Sequence, residues 1–146
     1  MKKKYPRRVF FNASVILSGL HSPTGGSAKL LLFVKRGQIQ GVISEIVFNE
    51  VLKHKSKINH DEAKIRKFFS ESGLLIVKAP EKERVYQYQS LVSDLGDAHL
   101  LTSSIKGKCE FLVSLDKKHI LNLKGKVKKI KIVCPKELLE EKKKFL

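Results

Sequence analysis

The sequence predicts an α/β protein, a three-layer α/β/α sandwich around a mainly parallel five-stranded sheet. Three observations lead there. Short runs at residues 8–12, 40–44, 74–77, 111–115 and 129–134 are rich in Val, Ile, Leu and Phe, the composition strands favour. Segments with helical spacing separate them, and strands alternating with helices call for parallel pairing through crossover connections. The run Phe111-Leu-Val-Ser-Leu115 is apolar on both alternating sets of positions, as a central strand buried on both faces should be.

Residues 8–12 form the first strand, with bulky side chains running into Asn12. Residues 13–20 start a helix, and the Pro and Gly content of residues 21–26 marks a loop. A second helix over 27–36 ends at Gly37. The strand at 40–44 leads into a helix over 45–54, where Ile46, Val47 and Val51 share one face and Glu50 lies further along. A helix from about Asp61 to Ser72 precedes the third strand. Pro80 and Glu81 open a helix running to about Leu91, and another begins near Asp97, where the helix dipole favours an acid. After the strand at 111–115 come a turn through Leu121, a basic linker and the alternating edge strand at 129–134. Pro135 then sits in the first turn of a closing helix.

The 146 residues suit one domain, 1–146, long enough to bury a core. With 42% hydrophobic and 30% charged residues the chain reads as globular, not disordered. No apolar run suits a membrane span, and the basic start leads into a strand instead of a signal-peptide core, so a cytoplasmic protein is expected. Cys109 and Cys134 lack metal-ligand spacing and read as reduced packing residues. Charge says more. A net +16 points to a polyanionic partner, since no acid occurs before Glu45 and residues 117–136 carry eight Lys and no acid. A lysine-rich surface suited to high growth temperature is the bland alternative.

Asn12 and Asp116 at strand ends, Glu50 one helix on from a strand and Asp97 at a helix start all fall on the carboxyl edge of the sheet, where α/β folds bind ligands. Asp116 is equally suited to capping the turn that follows it. Three carboxylates gathered in a cleft repel one another unless a divalent cation holds them ionised. Hard oxygen donors, with no His or Cys set suited to zinc, select Mg²⁺ or Mn²⁺. Such a cation beside a basic surface suits phosphodiester hydrolysis.

Val9-Phe-Phe-Asn12, Ile43-Ser-Glu-Ile-Val-Phe-Asn-Glu50, Asp94-Leu-Gly-Asp97 and Phe111-Leu-Val-Ser-Leu-Asp116 resemble, in order and spacing, the four acidic motifs of the PIN-domain nucleases. The resemblance runs from Arg8 to about Leu139 and is nearest to the VapC-like toxins of toxin–antitoxin systems. It implies a PIN-like fold and an endoribonuclease that cuts single-stranded RNA with Mg²⁺ or Mn²⁺. It also implies a homodimer and a small antitoxin partner. By position, Glu50, Asp97 and Asp116 match the family's catalytic, metal-holding acids, and Asn12 stands where its first Asp belongs. Ser14 and Ser114 match supporting polar neighbours, with Asp94 as an extra outer carboxylate or a solvated turn residue.

At position 12 an amide replaces a carboxylate. Its oxygen can still ligate a hard cation, yet one negative charge is lost and a donor NH₂ replaces an acceptor oxygen. Three explanations stay open: a substitution made to tame a toxic nuclease, a natural loss of catalysis, or a working enzyme with weaker metal binding. The competing function is therefore a catalytically inactive PIN-like module that binds RNA or protein. A receiver-like or nucleotide-binding domain lacks the glycine-rich phosphate loop it would need. Lys117 and Lys118 are candidate RNA-phosphate contacts or a solvated basic turn. His99 and His119 read as structural or RNA-contacting, and Tyr86 and Tyr88 as facing different sides of a helix.

Overall fold

Burial at consecutive positions sets the centre of the sheet. The computed structural model describes residues 6–92 and 94–145; Lys2, Lys3 and Lys4 of the basic start lie outside them. Val9, Phe10 and Phe11 of β1 (Arg7–Phe11) are fully shielded from solvent, as are Leu112 and Val113 of β4 (Phe111–Val113). Successive strand side chains point to opposite faces, so both faces are covered. With β2 (Ile39–Ser44), β3 (Leu75–Val77) and β5 (Lys131–Val133), the order is β3-β2-β1-β4-β5 and every neighbouring pair is parallel. This is the α/β sandwich that the alternating pattern predicts.

Local chemistry explains several of the helix boundaries. Ser44 caps α3 (Glu45–Lys53), its Oγ accepting the Val47 N–H at 3.2 Å. Asp61 does the same for α4 (Glu62–Ser72), accepting from Lys64 at 2.8 Å, and Gly73 ends that helix at φ 79°. Asp94 caps α6 (Leu95–Lys106) through a 2.9 Å bond from the Asp97 N–H. α1 (Ala13–His21) and α2 (Gly26–Lys35) pack on each other, and α2 also meets α4 and α7 (Pro135–Phe145). The Lys142 ammonium lies 3.5 Å from the centre of the Phe33 ring, tying α7 to α2. Gly41 of β2 is required by close approach: a Cβ there would meet Leu74 at 2.6 Å and Val34 at 2.9 Å.

Three elements differ from expectation, and one of them, the edge strand expected over 129–134, is confined to Lys131–Val133. The helix expected from residue 80 to 91 is a short α5 (Lys82–Tyr86) followed by a 3₁₀ turn, Gln89–Leu91. The inward residues Val85 and Tyr88 are three apart, a spacing that 3₁₀ geometry satisfies as well as α. The strand expected to reach Leu115 ends at Val113, and Leu115 is exposed, because side-chain hydroxyls take over its backbone bonding. No helix among the described residues is long and apolar enough to cross a membrane.

Candidate active site

From β1 the chain steps outward to β2 and β3, whereas β4 leads to β5 on the other side. The direction of winding therefore reverses between β1 and β4, and the crevice beyond the carboxyl ends of strands at such a reversal is where open α/β sheets take ligands. Asn12 directly follows β1 and Asp116 lies just past β4, so the two flank this point.

The register fixes them. Phe11 pairs with Val113, which sets Asn12 level with Ser114, and the Asn12 Nδ2 donates to Ser114 Oγ at 2.7 Å. Ser114 Oγ also accepts the Asp116 N–H at 3.0 Å, while Ser14 Oγ on α1 accepts the Leu115 N–H at 3.2 Å. Ser114 is fully buried. These hydroxyls bend the chain away from the sheet and hold the turn that carries Asp116. The Asp116 Oδ1 accepts the His119 N–H at 3.0 Å, and Oδ2 lies 3.3 Å from His119 Nδ1. Asp116 thus closes its turn and lines the crevice together, so the two readings of it are compatible.

The crevice has a volume of about 320 Å³. Asn12, Glu50, Asp94, Asp97 and Asp116 all line it, with Ser44, His99 and His119, over apolar walls from Ile46, Val47 and Leu100. Asp97 has a perturbed carboxyl. Burial foremost, then the charges of Asp94 and Asp116, push its carboxyl up to about 6, against a lowering pull from His119. Its Oδ2 is buried with no hydrogen-bond partner among the described residues, and so is His99 Nδ1. An orphaned acidic oxygen among other carboxylates is what a cation would relieve, and the donors present are the hard oxygens that Mg²⁺ or Mn²⁺ prefer. Among the described residues, no three His, Cys, Asp or Glu side chains converge closely enough to hold one ion. The acids share a cavity without forming a closed ligand set, and their mutual repulsion opposes closer approach.

Several placements were not legible beforehand. Asp94 is neither a loose turn residue nor simply an outer acid, since it caps α6 and lines the crevice at once. Lys117 and Lys118 are exposed and line no part of the crevice; Lys117 turns to a neighbouring groove. Ser44 was overlooked, although a Ser just before a helical segment is a readable cap. His99 and His119 reach the crevice from positions that spacing left ambiguous.

Fold and crevice together define an α/β protein with an acid-lined site at the switch point of a parallel sheet. A PIN domain family model matches residues 8–118, and the chain belongs to that family. Its fold is similar to that of a toxin–antitoxin complex component from Klebsiella pneumoniae (TM-score 0.64, 18% identity, 87% of this chain and 97% of that one). It is also similar to a chain of VapBC2 from Rickettsia felis bound to a promoter DNA fragment (TM-score 0.64, 15% identity, 87% and 98%). A third similar fold is VapC20 of Mycobacterium tuberculosis, described as a sarcin–ricin loop cleaving toxin (TM-score 0.57, 11% identity, 75% and 91%). No curated protein sequence matches the chain.

Proposed function

We propose that this protein is a metal-dependent endoribonuclease of the toxin kind, hydrolysing phosphodiester bonds in single-stranded RNA and restrained by an antitoxin. The observation that carries the reading is the gathering of four carboxylates at the β1/β4 switch point of a chain whose net charge is +16. A basic protein that concentrates acids in one crevice has a use for them there. Family membership and the likeness in fold to a toxin–antitoxin complex component and to a sarcin–ricin loop cleaving toxin support the same reading.

Asp97, Asp116, Glu50 and the amide oxygen of Asn12 would hold Mg²⁺ or Mn²⁺. When bound, the ion supplies a water activated near neutral pH and offsets charge on the leaving oxygen. The chain's own groups do the rest. Ser114 orients both Asn12 and Asp116, so two of the oxygens are set before any ligand arrives. Ser14 braces the same turn. The apolar walls limit water around the carboxylates and keep their field strong. Lysines elsewhere draw in the polyanion.

Two observations favour a second reading, an inactive PIN-like module that binds RNA or protein: Asn12 and the open spacing of the acids both weaken a metal site. Mn²⁺ titration by calorimetry, paired with cleavage of a generic single-stranded RNA, separates the two. The enzyme should bind Mn²⁺ and cut only with metal, and Asn12→Asp should tighten binding about tenfold, or ~1.4 kcal/mol. If Asn12→Asp neither binds metal better nor cuts, while RNA is still retained, the binding module is the correct reading.

A further inference from the structure

The turn that carries Asp116 is a wall between two cavities. Asp116 lines the acidic crevice, while its neighbours Leu115 and Lys117 line a groove of about 620 Å³ bordered by α1, the first turn of α2 and the first two turns of α7. Lys29, Lys117 and Lys136 line this groove; all three are exposed, and among the described residues none forms an ion pair. Among the described residues, Glu140 is the one acid lining it. α2 begins there with Gly25 as its cap, no side-chain capping bond and no acid in its first turn, so its leading N–H groups lack intrahelical partners. Ser27, only 4% exposed, lines the groove beside them, and its hydroxyl makes no hydrogen bond to any described residue. A largely shielded serine whose hydroxyl lacks a described partner, free helix amides and unpaired ammonium groups together suit an oxygen-rich anion.

We infer that this groove is a phosphate subsite, holding the phosphodiester of a nucleotide next to the one whose bond lies in the acidic crevice. The identity of the strand rests on the nuclease reading above; the anion chemistry of the groove does not. Because the contacts are to phosphate, the subsite would fix the position of the strand along the Asp116 turn without selecting its bases.

Cys134 gives a direct test. It lines the groove as a free, half-buried thiol, whereas Cys109 is buried and its thiol is pushed up to about 11. Iodoacetamide should therefore label Cys134 selectively. In the full chain with metal chelated, a single-stranded RNA oligonucleotide at about ten times its Kd should slow that labelling about tenfold. Inorganic phosphate should protect only at far higher concentration. The double charge reversal Lys29→Glu with Lys136→Glu should weaken RNA binding more than the same reversal at Lys64 and Lys67, exposed on α4. It should also lower the salt dependence by roughly 0.7 per lost phosphate contact. Saturating RNA that leaves Cys134 labelling unchanged, or equal losses in the two double variants, overturns the subsite. Protection by an acidic peptide but not by RNA overturns it too, in favour of a protein ligand. Protection by RNA without cleavage under any metal keeps the subsite and removes the nuclease reading instead.

Discussion

The two ends of the sheet treat charge in opposite ways. At the amino edge, Arg7 at the start of β1 donates to both carboxylate oxygens of Glu110, just before β4, at 2.6 and 2.9 Å. At the carboxyl edge, Asp94, Asp97, Asp116 and Glu50 share a crevice that no Lys or Arg lines among the described residues. The first arrangement satisfies itself, and an exposed pair of this kind contributes little to stability. The second leaves Asp97 carrying a raised pKa and an unpartnered oxygen, in a protein with cations to spare. Charges left unpaired where pairing was affordable mark the edge built for a ligand.

Replacing Asp97 should break this contrast most sharply. Asp97→Asn is expected to lower RNA cleavage by about 10²–10³-fold, measured as kcat under saturating Mn²⁺. The same variant should unfold at a higher temperature than wild type in metal-free buffer at pH 7, because it removes a crowded charge; lower stability together with lost activity would instead make Asp97 a structural residue. Next in size, Ser114→Ala should weaken Mn²⁺ binding about 10–100-fold by freeing Asn12 and Asp116 from their shared anchor. Calorimetry on the folded variant reads this directly.

pH sharpens the comparison further. The folded-state pKa of Asp97 lies above its ordinary value of 3.8, so ionising it costs more in the folded protein than in the unfolded one. Its contribution to stability therefore falls as pH rises from about 4 to about 6, and the loss is complete above that. Denaturant titrations of metal-free protein across this window should show a downward trend that Asp97→Asn flattens and that saturating Mn²⁺ opposes. Glu137 runs the other way. Its bond from Lys124 and the Cys134 N–H hold it down to about 2, so its contribution is present above about 4.5 and lost as pH falls toward 2. The smallest effect belongs to the amino edge. Arg7→Ala should cost no more than about 1 kcal/mol and leave cleavage untouched.

Much of the fold was legible because it rests on local pattern. Phe111 and Leu112 announce a doubly covered sheet by lacking alternation, and Gly37 and Asp61 mark helix boundaries by chemistry within a few residues. The region from Val85 to Leu91 was not legible, because a three-residue apolar spacing suits two kinds of helix. Leu115 misled for a different reason. Its apolar side chain suggests strand, yet the hydroxyls of Ser14 and Ser114 end the ladder, and one of them arrives from a helix about a hundred residues earlier in the chain.

The amino-acid order alone determined the parallel α/β architecture, the basic balance of the chain and the presence of an amide at position 12, since all three follow from residue type and short-range spacing. Tertiary structure alone decided that β1 and β4 meet at the reversal of winding and that Asp94 both caps and lines. It likewise decided that Lys117 faces away from Asp116. Those outcomes depend on strand order and on which side of a turn each neighbour points, and neither is encoded in any local stretch of the chain.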